Sequence, residues 1–152
     1  MGKQIIYFDM DGVLVDLAQK INSFPEEVVE HHEQLDMIEL LPGIFKDPDP
    51  IPGAVDAFNK LFTSDKYDCY ILSTAPWDAP WVWTEKREWV EKYLGHNAYK
   101  RLILSHNKHL CKGDYLIDDR TKNGAGEFEG ELIQFGTDAF PNWDAVLNYL
   151  KP

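Results

Sequence analysis

Lys3-Gln4-Ile5-Ile6-Tyr7-Phe8-Asp9-Met10-Asp11-Gly12-Val13-Leu14-Val15-Asp16 opens the chain with an apolar run that stops abruptly at two carboxylates one residue apart. A short β-branched and aromatic run closed by glycine reads as a buried strand. Successive strand side chains point to opposite faces, so Asp9 and Asp11 share the mouth of one site only if the strand ends between them. Gly12 permits the turn that carries Asp11 out of the sheet and back over Asp9.

Working outward, Leu17, Ile21 and Phe24 recur at helical spacing until Pro25 interrupts them, and residues 26–41 read as one or two short acidic helices. Four prolines and two glycines between Leu41 and Gly53 make that stretch loop or turn. Residues 17–52 are therefore expected to form a small helical cap inserted into a core made of residues 1–16 and 53–152. Beyond Pro52-Gly53 a helix carrying Val55, Phe58, Leu61 and Phe62 precedes a strand over Tyr67–Thr74. After Trp77, Trp81 and Trp83 comes a helix with Trp89, Val90, Tyr93 and Leu94, capped by Gly95. Leu102–Leu104, Tyr115–Ile117 and Leu132–Phe135 read as further strands, and Asn142 caps a last helix bearing Trp143, Val146, Leu147 and Leu150. This alternation predicts an α/β protein with a doubly wound, Rossmann-like parallel sheet of five main strands.

The bulk properties narrow the function. A chain of 152 residues, 44% hydrophobic and 27% charged, suits one soluble globular domain with a small insertion. No apolar run is long enough for a membrane span, and the N-terminal residues show neither a basic leader nor a cleavage site, so a cytoplasmic protein is expected. A net charge of -11 argues against holding long nucleic acid through its phosphates. A small anion would need a locally positive spot, supplied by a metal, a helix N-terminus or a lysine. Cys69 and Cys111 form no disulfide framework and fit a reducing compartment. Both a monomer and a homodimer are compatible with these features.

Four strand ends carry reactive groups: Asp9 and Asp11, Ser73 and Thr74, Lys108, and Asp118 with Asp119. In a parallel sheet these ends line one edge, so groups a hundred residues apart converge. Carboxylates gathered at one point repel unless a cation joins them, and an all-oxygen donor set with a phosphate substrate suits Mg²⁺. With Mg²⁺ and Lys108 nearby, the site acquires the positive field that a phosphate monoester requires. Asp9 could then attack phosphorus and form an aspartyl-phosphate. Asp11 could protonate the leaving oxygen and later deprotonate water, while Thr74 binds a phosphoryl oxygen.

The combination Asp-Met-Asp-Gly-Val, strand-end Thr, Lys and Asp-Asp resembles the haloacid-dehalogenase superfamily of phosphohydrolases. More narrowly, Leu40-Leu41-Pro42-Gly43-Ile44-Phe45, Pro50-Ile51-Pro52-Gly53-Ala54, Glu85-Lys86 through Trp89-Val90-Glu91, Leu94-Gly95 and Leu116-Ile117-Asp118-Asp119-Arg120 look like the 5′(3′)-deoxyribonucleotidase family. The resemblance spans nearly the whole chain. It implies a central first strand, a helical cap after it, Mg²⁺ dependence and dephosphorylation of deoxynucleoside monophosphates. By position it makes Asp9 nucleophile and metal ligand, and Asp11 the acid/base that also binds metal through its backbone carbonyl. Thr74, with Ser73 as the alternative, falls on the phosphate-binding hydroxyl and Lys108 on the phosphate-binding lysine. Asp119 becomes a direct Mg²⁺ ligand and Asp118 one acting through water. The cap is shorter than in the animal enzymes, which leaves the base-recognition residues open.

Taken singly, several of these residues admit other readings. An EF-hand frame with Gly12 sixth puts Tyr7 first and Ala18 twelfth, where acidic ligands are needed. A shifted register would hand the lysine's role to Lys112. His106 and His109 are too few for zinc and read as loop residues. Trp77 and the cap aromatics Phe24 and Phe45 suit either packing or stacking against a nucleobase. The loop 123–130 lacks P-loop spacing and reads as a flexible connection. The chemistry fits a deoxynucleotide, a sugar phosphate or another small metabolite; a phosphotransferase and a non-catalytic nucleotide-binding regulator are the remaining alternatives.

Overall fold

Residues 2–152 are described by the computed structural model. Its five strands, β1 (Gln4–Phe8), β2 (Tyr67–Ser73), β3 (Leu102–Leu104), β4 (Tyr115–Asp118) and β5 (Glu131–Gln134), form one sheet in the order β3-β2-β1-β4-β5. All neighbouring pairs run parallel. The first strand is therefore central, and its last residue, Phe8, lies opposite Ile71 on one side and Ile117 on the other. Asp9 is the first residue past the strand, where its amide still donates to the Ile117 carbonyl at 2.9 Å.

Alternation along β1 sorts the core into two layers. Ile6 and Phe8 are fully buried on the face covered by helices α3 (Ala54–Thr63), α4 (Pro80–Leu94) and α5 (Trp143–Leu150). There the Phe8 ring lies 5.1 Å from Phe58 and 5.8 Å from Trp143. Tyr7 points the other way, into a cluster with Leu72, Leu116, Ala125 and Phe128. This second layer is covered by the segments on either side of β4, residues 108–113 and 120–128, with single 3₁₀ turns at Lys108–Leu110 and Ala125–Glu127.

That second layer corrects the reading of residues 123–130 as a flexible connection. Gly124, at φ +84°, turns the chain so that Ala125 and Phe128 are buried, and the Asn123 carbonyl accepts from the Lys108 amide at 2.8 Å. Glycine content signals the turn correctly; it carries no information on what the turn packs against.

Between β1 and α3 the chain forms α1 (Leu17–Asn22), whose first turn is capped by the Asp16 carboxylate accepting from Gln19 at 3.1 Å, and α2 (Glu26–Gln34), which starts directly after Pro25. The two limbs of this excursion are tied at the base: the Asp16 amide donates to Asp49 and the Ile51 amide to Leu14, each at 2.8 Å. Its interior, Leu41, Ile44 and Phe45 with Ile21 and Phe24, packs on Ala75, Ala79 and Val82. The returning limb is also bonded to α4, through Trp89 Nε1 to the Pro48 carbonyl at 2.8 Å and Lys92 Nζ to Asp47 at 2.7 Å.

Candidate active site

The C-terminal ends of β1, β2 and β4 and the turn after β3 enclose a cavity of about 20 Å³ lined by Asp9, Asp11, Thr74, Lys108, Asp118 and Asn123. Lys108 bridges two of these residues, with Nζ 3.0 Å from Asp9 Oδ1 and 2.6 Å from Asp118 Oδ2. All three side chains are buried, whereas Lys112 is exposed. Asp9 continues the alternation of β1 on the Tyr7 side, which is why it meets a lysine from the segment covering that face.

Asp119 completes a second group: one carboxylate oxygen from each of Asp9, Asp118 and Asp119 lies within 4.8 Å of the others. Both Asp118 oxygens are engaged, Oδ2 by Lys108 and Oδ1 by the Arg120 amide at 3.0 Å. Asp119 Oδ1, in contrast, is buried without a hydrogen-bond partner. Burying a charge without compensation costs several kcal/mol, roughly, so such groups titrate or find a cation. Gly12, at φ +78°, brings the backbone against this carboxylate; a Cβ there would lie 2.8 Å from Asp119 Cγ.

The electrostatics follow from burial. Burial pushes the Asp9 carboxyl up, Lys108 pulls it partly back, and Asp118 adds to the rise. Asp119 is pushed up to about 7, first by burial and then by the charges of Asp9 and Asp118. For Lys108 burial favours the neutral amine, but the two carboxylates outweigh it and the net shift is upward. An orphaned buried oxygen within an all-carboxylate cluster fits a hard divalent cation such as Mg²⁺. Asp9 and Asp119 are the side chains best disposed to hold it.

Asp11 also lines the cavity, and its Oδ2 accepts from Lys86 Nζ at 2.8 Å. Lys86, only 2% exposed, also donates to Ser73 Oγ at 2.7 Å, and its ammonium lies 5.0 Å from the centre of the Phe45 ring. Ser73 is thus fully buried beneath the site, while Thr74 lines the cavity with its hydroxyl donating to the Ser105 carbonyl at 2.8 Å. Binding a phosphoryl oxygen through that hydroxyl requires it to turn from Ser105.

Sequence reasoning passed over Lys86 because a helix lysine is ordinarily solvated. Its signal is nonetheless present: Val82, Lys86, Trp89 and Val90 share one helical stripe, and a cation in an apolar stripe needs a partner. Asn123 was passed over for a different reason, lying in a loop with no chemical pattern.

A wider cavity of about 220 Å³ adjoins the first, sharing Thr74 and Asn123 with it and adding Leu40, Trp77, Asp78 and His106. Trp77 is 77% exposed at its rim, its ring 6.1 Å from His106. Phe45 lines neither cavity; it is buried against Lys86. Phe24 packs inside the excursion. A cavity of about 530 Å³ between α4 and β3 is lined by none of the candidate residues.

Residues 25–141 match the family described as 5′ nucleotidase, deoxy (pyrimidine), cytosolic type C protein. The chain is 56% identical over 148 residues to a Vibrio phage KVP40 protein provisionally named 5′(3′)-deoxyribonucleotidase, covering 97% of this chain and 85% of that one. It is 28% identical to the human 5′(3′)-deoxyribonucleotidase, cytosolic type, over 93% of this chain and 78% of the human protein. Among solved structures, the provisionally assigned HAD-hydrolase YfnB of Bacillus subtilis, bound to magnesium, shares the fold with a TM-score of 0.63 at 10% identity over both whole chains. A hydrolase from Streptococcus pneumoniae TIGR4 superposes with a TM-score of 0.60 at 11% identity, again over both whole chains.

Proposed function

The chain belongs to the 5′(3′)-deoxyribonucleotidase family of haloacid-dehalogenase-type phosphatases, and from that premise we propose that it hydrolyses deoxyribonucleoside monophosphates through a phosphoryl group carried on Asp9, with Mg²⁺ as cofactor. The observation that carries this reading is the buried Asp9–Lys108–Asp118 bridge beside the unpartnered Asp119 oxygen. Asp9, Asp119 and the Asp11 carbonyl would hold the magnesium, which would supply the charge neutralisation that lets carboxylates and phosphate share one site. Lys108 and Thr74 hold the phosphoryl oxygens. Asp9 attacks phosphorus as the bond to the sugar oxygen breaks, and Asp11 gives that oxygen its proton. Asp11 then takes a proton from the water that cleaves the Asp9 acyl phosphate, releasing inorganic phosphate.

The excursion over residues 17–52 serves as the cap. Its Leu40, together with Trp77 and His106, bounds the wider cavity, where the nucleoside is accommodated with its base against the exposed Trp77 ring. The chain's acidity and this enclosed site favour a small phosphomonoester over long nucleic acid.

The test is a phosphate-release panel of deoxyribonucleotides, ribonucleotides and sugar phosphates, with and without Mg²⁺. Preferential, Mg²⁺-dependent release from deoxyribonucleotides is expected. Preference for sugar phosphates would remove the nucleotide assignment while leaving the chemistry, and release unaffected by chelation would remove the metal.

A further inference from the structure

Lys86 is the buried cation whose place in the chemistry is not yet accounted for. Its ammonium is held on three sides, by Asp11 Oδ2 at 2.8 Å, by Ser73 Oγ at 2.7 Å and by the Phe45 ring at 5.0 Å from its centre. Each contact comes from a different part of the chain: the turn after β1, the end of β2 and the returning limb of the cap. The side chain itself springs from the first half of α4, and the same helix binds that limb again at Trp89 and Lys92. An ammonium so enclosed has lost most of its hydration, and a fold that needed only packing would do better with an apolar residue. Asp11, by comparison, is partly exposed at the cavity and is constrained through one oxygen.

We propose that Lys86 is a positioning residue for the acid/base step: by holding Asp11 Oδ2, it aims the other carboxyl oxygen, Oδ1, at the oxygen leaving phosphorus. This rests on the reading of Asp11 as proton donor. Lys86 does not touch the reacting atoms; it removes the rotational freedom of the group that does. Loss of that restraint lowers the fraction of time the acid is in line with the breaking P–O bond.

A proton donor matters in proportion to how poor the leaving group is. The 5′ oxygen of a nucleotide departs as an alkoxide and needs the proton, whereas p-nitrophenolate departs readily without it. The value of kcat/KM reports the enzyme up to its first irreversible step, which here is phosphoryl transfer to Asp9 with loss of the leaving group. The experiment measures kcat/KM for deoxyuridine 5′-monophosphate and for p-nitrophenyl phosphate in the wild type, Lys86→Met, Ser73→Ala and Asp11→Asn, and takes the nucleotide-to-aryl ratio for each.

Asp11→Asn is expected to lower that ratio by about 10²-fold, the ordinary contribution of a general acid, and Lys86→Met by about tenfold. Ser73→Ala removes one of the lysine's anchors at little cost in volume and lowers the ratio in the same direction by a smaller factor, so the test survives if Lys86→Met does not fold. A lysine that binds phosphate, or merely holds α4 to the sheet, would reduce both substrates alike. An unchanged ratio in Lys86→Met and Ser73→Ala, with the Asp11→Asn ratio lowered, overturns the positioning role alone. An unchanged ratio in Asp11→Asn overturns the acid assignment and the positioning role with it.

Discussion

The floor of the site and the rim above it are built by different means. On the floor, Asp9, Lys108 and Asp118 are buried, ion-paired, and carried by strand ends or by a turn bonded to the backbone; even Asp9, beyond its strand, keeps a ladder bond to Ile117. At the rim, Leu40, Trp77 and His106 come from the excursion between β1 and α3 and from loops after strands, and Trp77 stands largely in solvent. Charges on the floor are fixed by the sheet, which cannot shift them without breaking its ladder. Rim residues are fixed by side-chain packing, which tolerates exchange of one ring or loop for another. The difference teaches that such a molecule keeps its chemistry where movement is costly and its substrate choice where it is cheap.

On this division, the largest effects belong to the floor. Asp9→Asn retains size and removes the proposed nucleophile; phosphate release should fall by about 10³-fold or more, read by a phosphate assay at saturating nucleotide. Next comes the metal. Chelation should reduce release by about 10²-fold or more, with recovery on adding Mg²⁺. Mg²⁺ should also raise the melting temperature of the wild type and not that of Asp119→Asn, because a ligand bound only by the folded state stabilises it by about 2.7 kcal/mol at a hundred times its Kd.

Gly12→Ala probes the turn that directly follows Asp11. A Cβ there meets the Asp119 carboxylate and demands a positive φ, so a loss of about 1–3 kcal/mol in stability is expected from denaturant unfolding. Turnover should fall with it through displacement of Asp119. The smallest effect belongs to the rim: Trp77→Ala should raise KM for a deoxynucleotide by about three- to tenfold and leave kcat nearly unchanged, as loss of a stacking contact does. A fall in kcat at constant KM would erase the distinction between floor and rim.

The same division explains what was legible in the sequence. Apolar runs ending in Asp, Thr or paired Asp announce strand C-termini, and a parallel sheet leaves those ends one edge to share, so the meeting of Asp9, Thr74 and Asp118 follows from order and residue type. Lys108 could be picked from Lys112 only through the resemblance, since burial separates them in space and nothing separates them in composition. Strand boundaries shifted by a residue: β2 ends at Ser73 rather than Thr74, and β5 spans Glu131–Gln134 rather than 132–135. Lys86 was hidden because its partners lie in three distant segments. Ring chemistry alone suggests Phe45 as a base platform, and its contact with Lys86 depends on how the limb leading into α3 settles on α4. The turn at Ala125–Glu127 was likewise invisible, since glycines mark where a chain bends and not what the bend covers.

The most direct test of the chemistry is to find the phosphoryl group in transit. Wild-type protein is mixed with a deoxynucleotide and Mg²⁺, quenched in acid during turnover, treated with borohydride to reduce any acyl phosphate to the alcohol, and mapped by mass spectrometry. The expected result is homoserine at position 9 and unaltered aspartate at 11, 118 and 119. Modification at another aspartate, or steady turnover with Asp9 left unmodified, would contradict the assignment of Asp9 as the nucleophile.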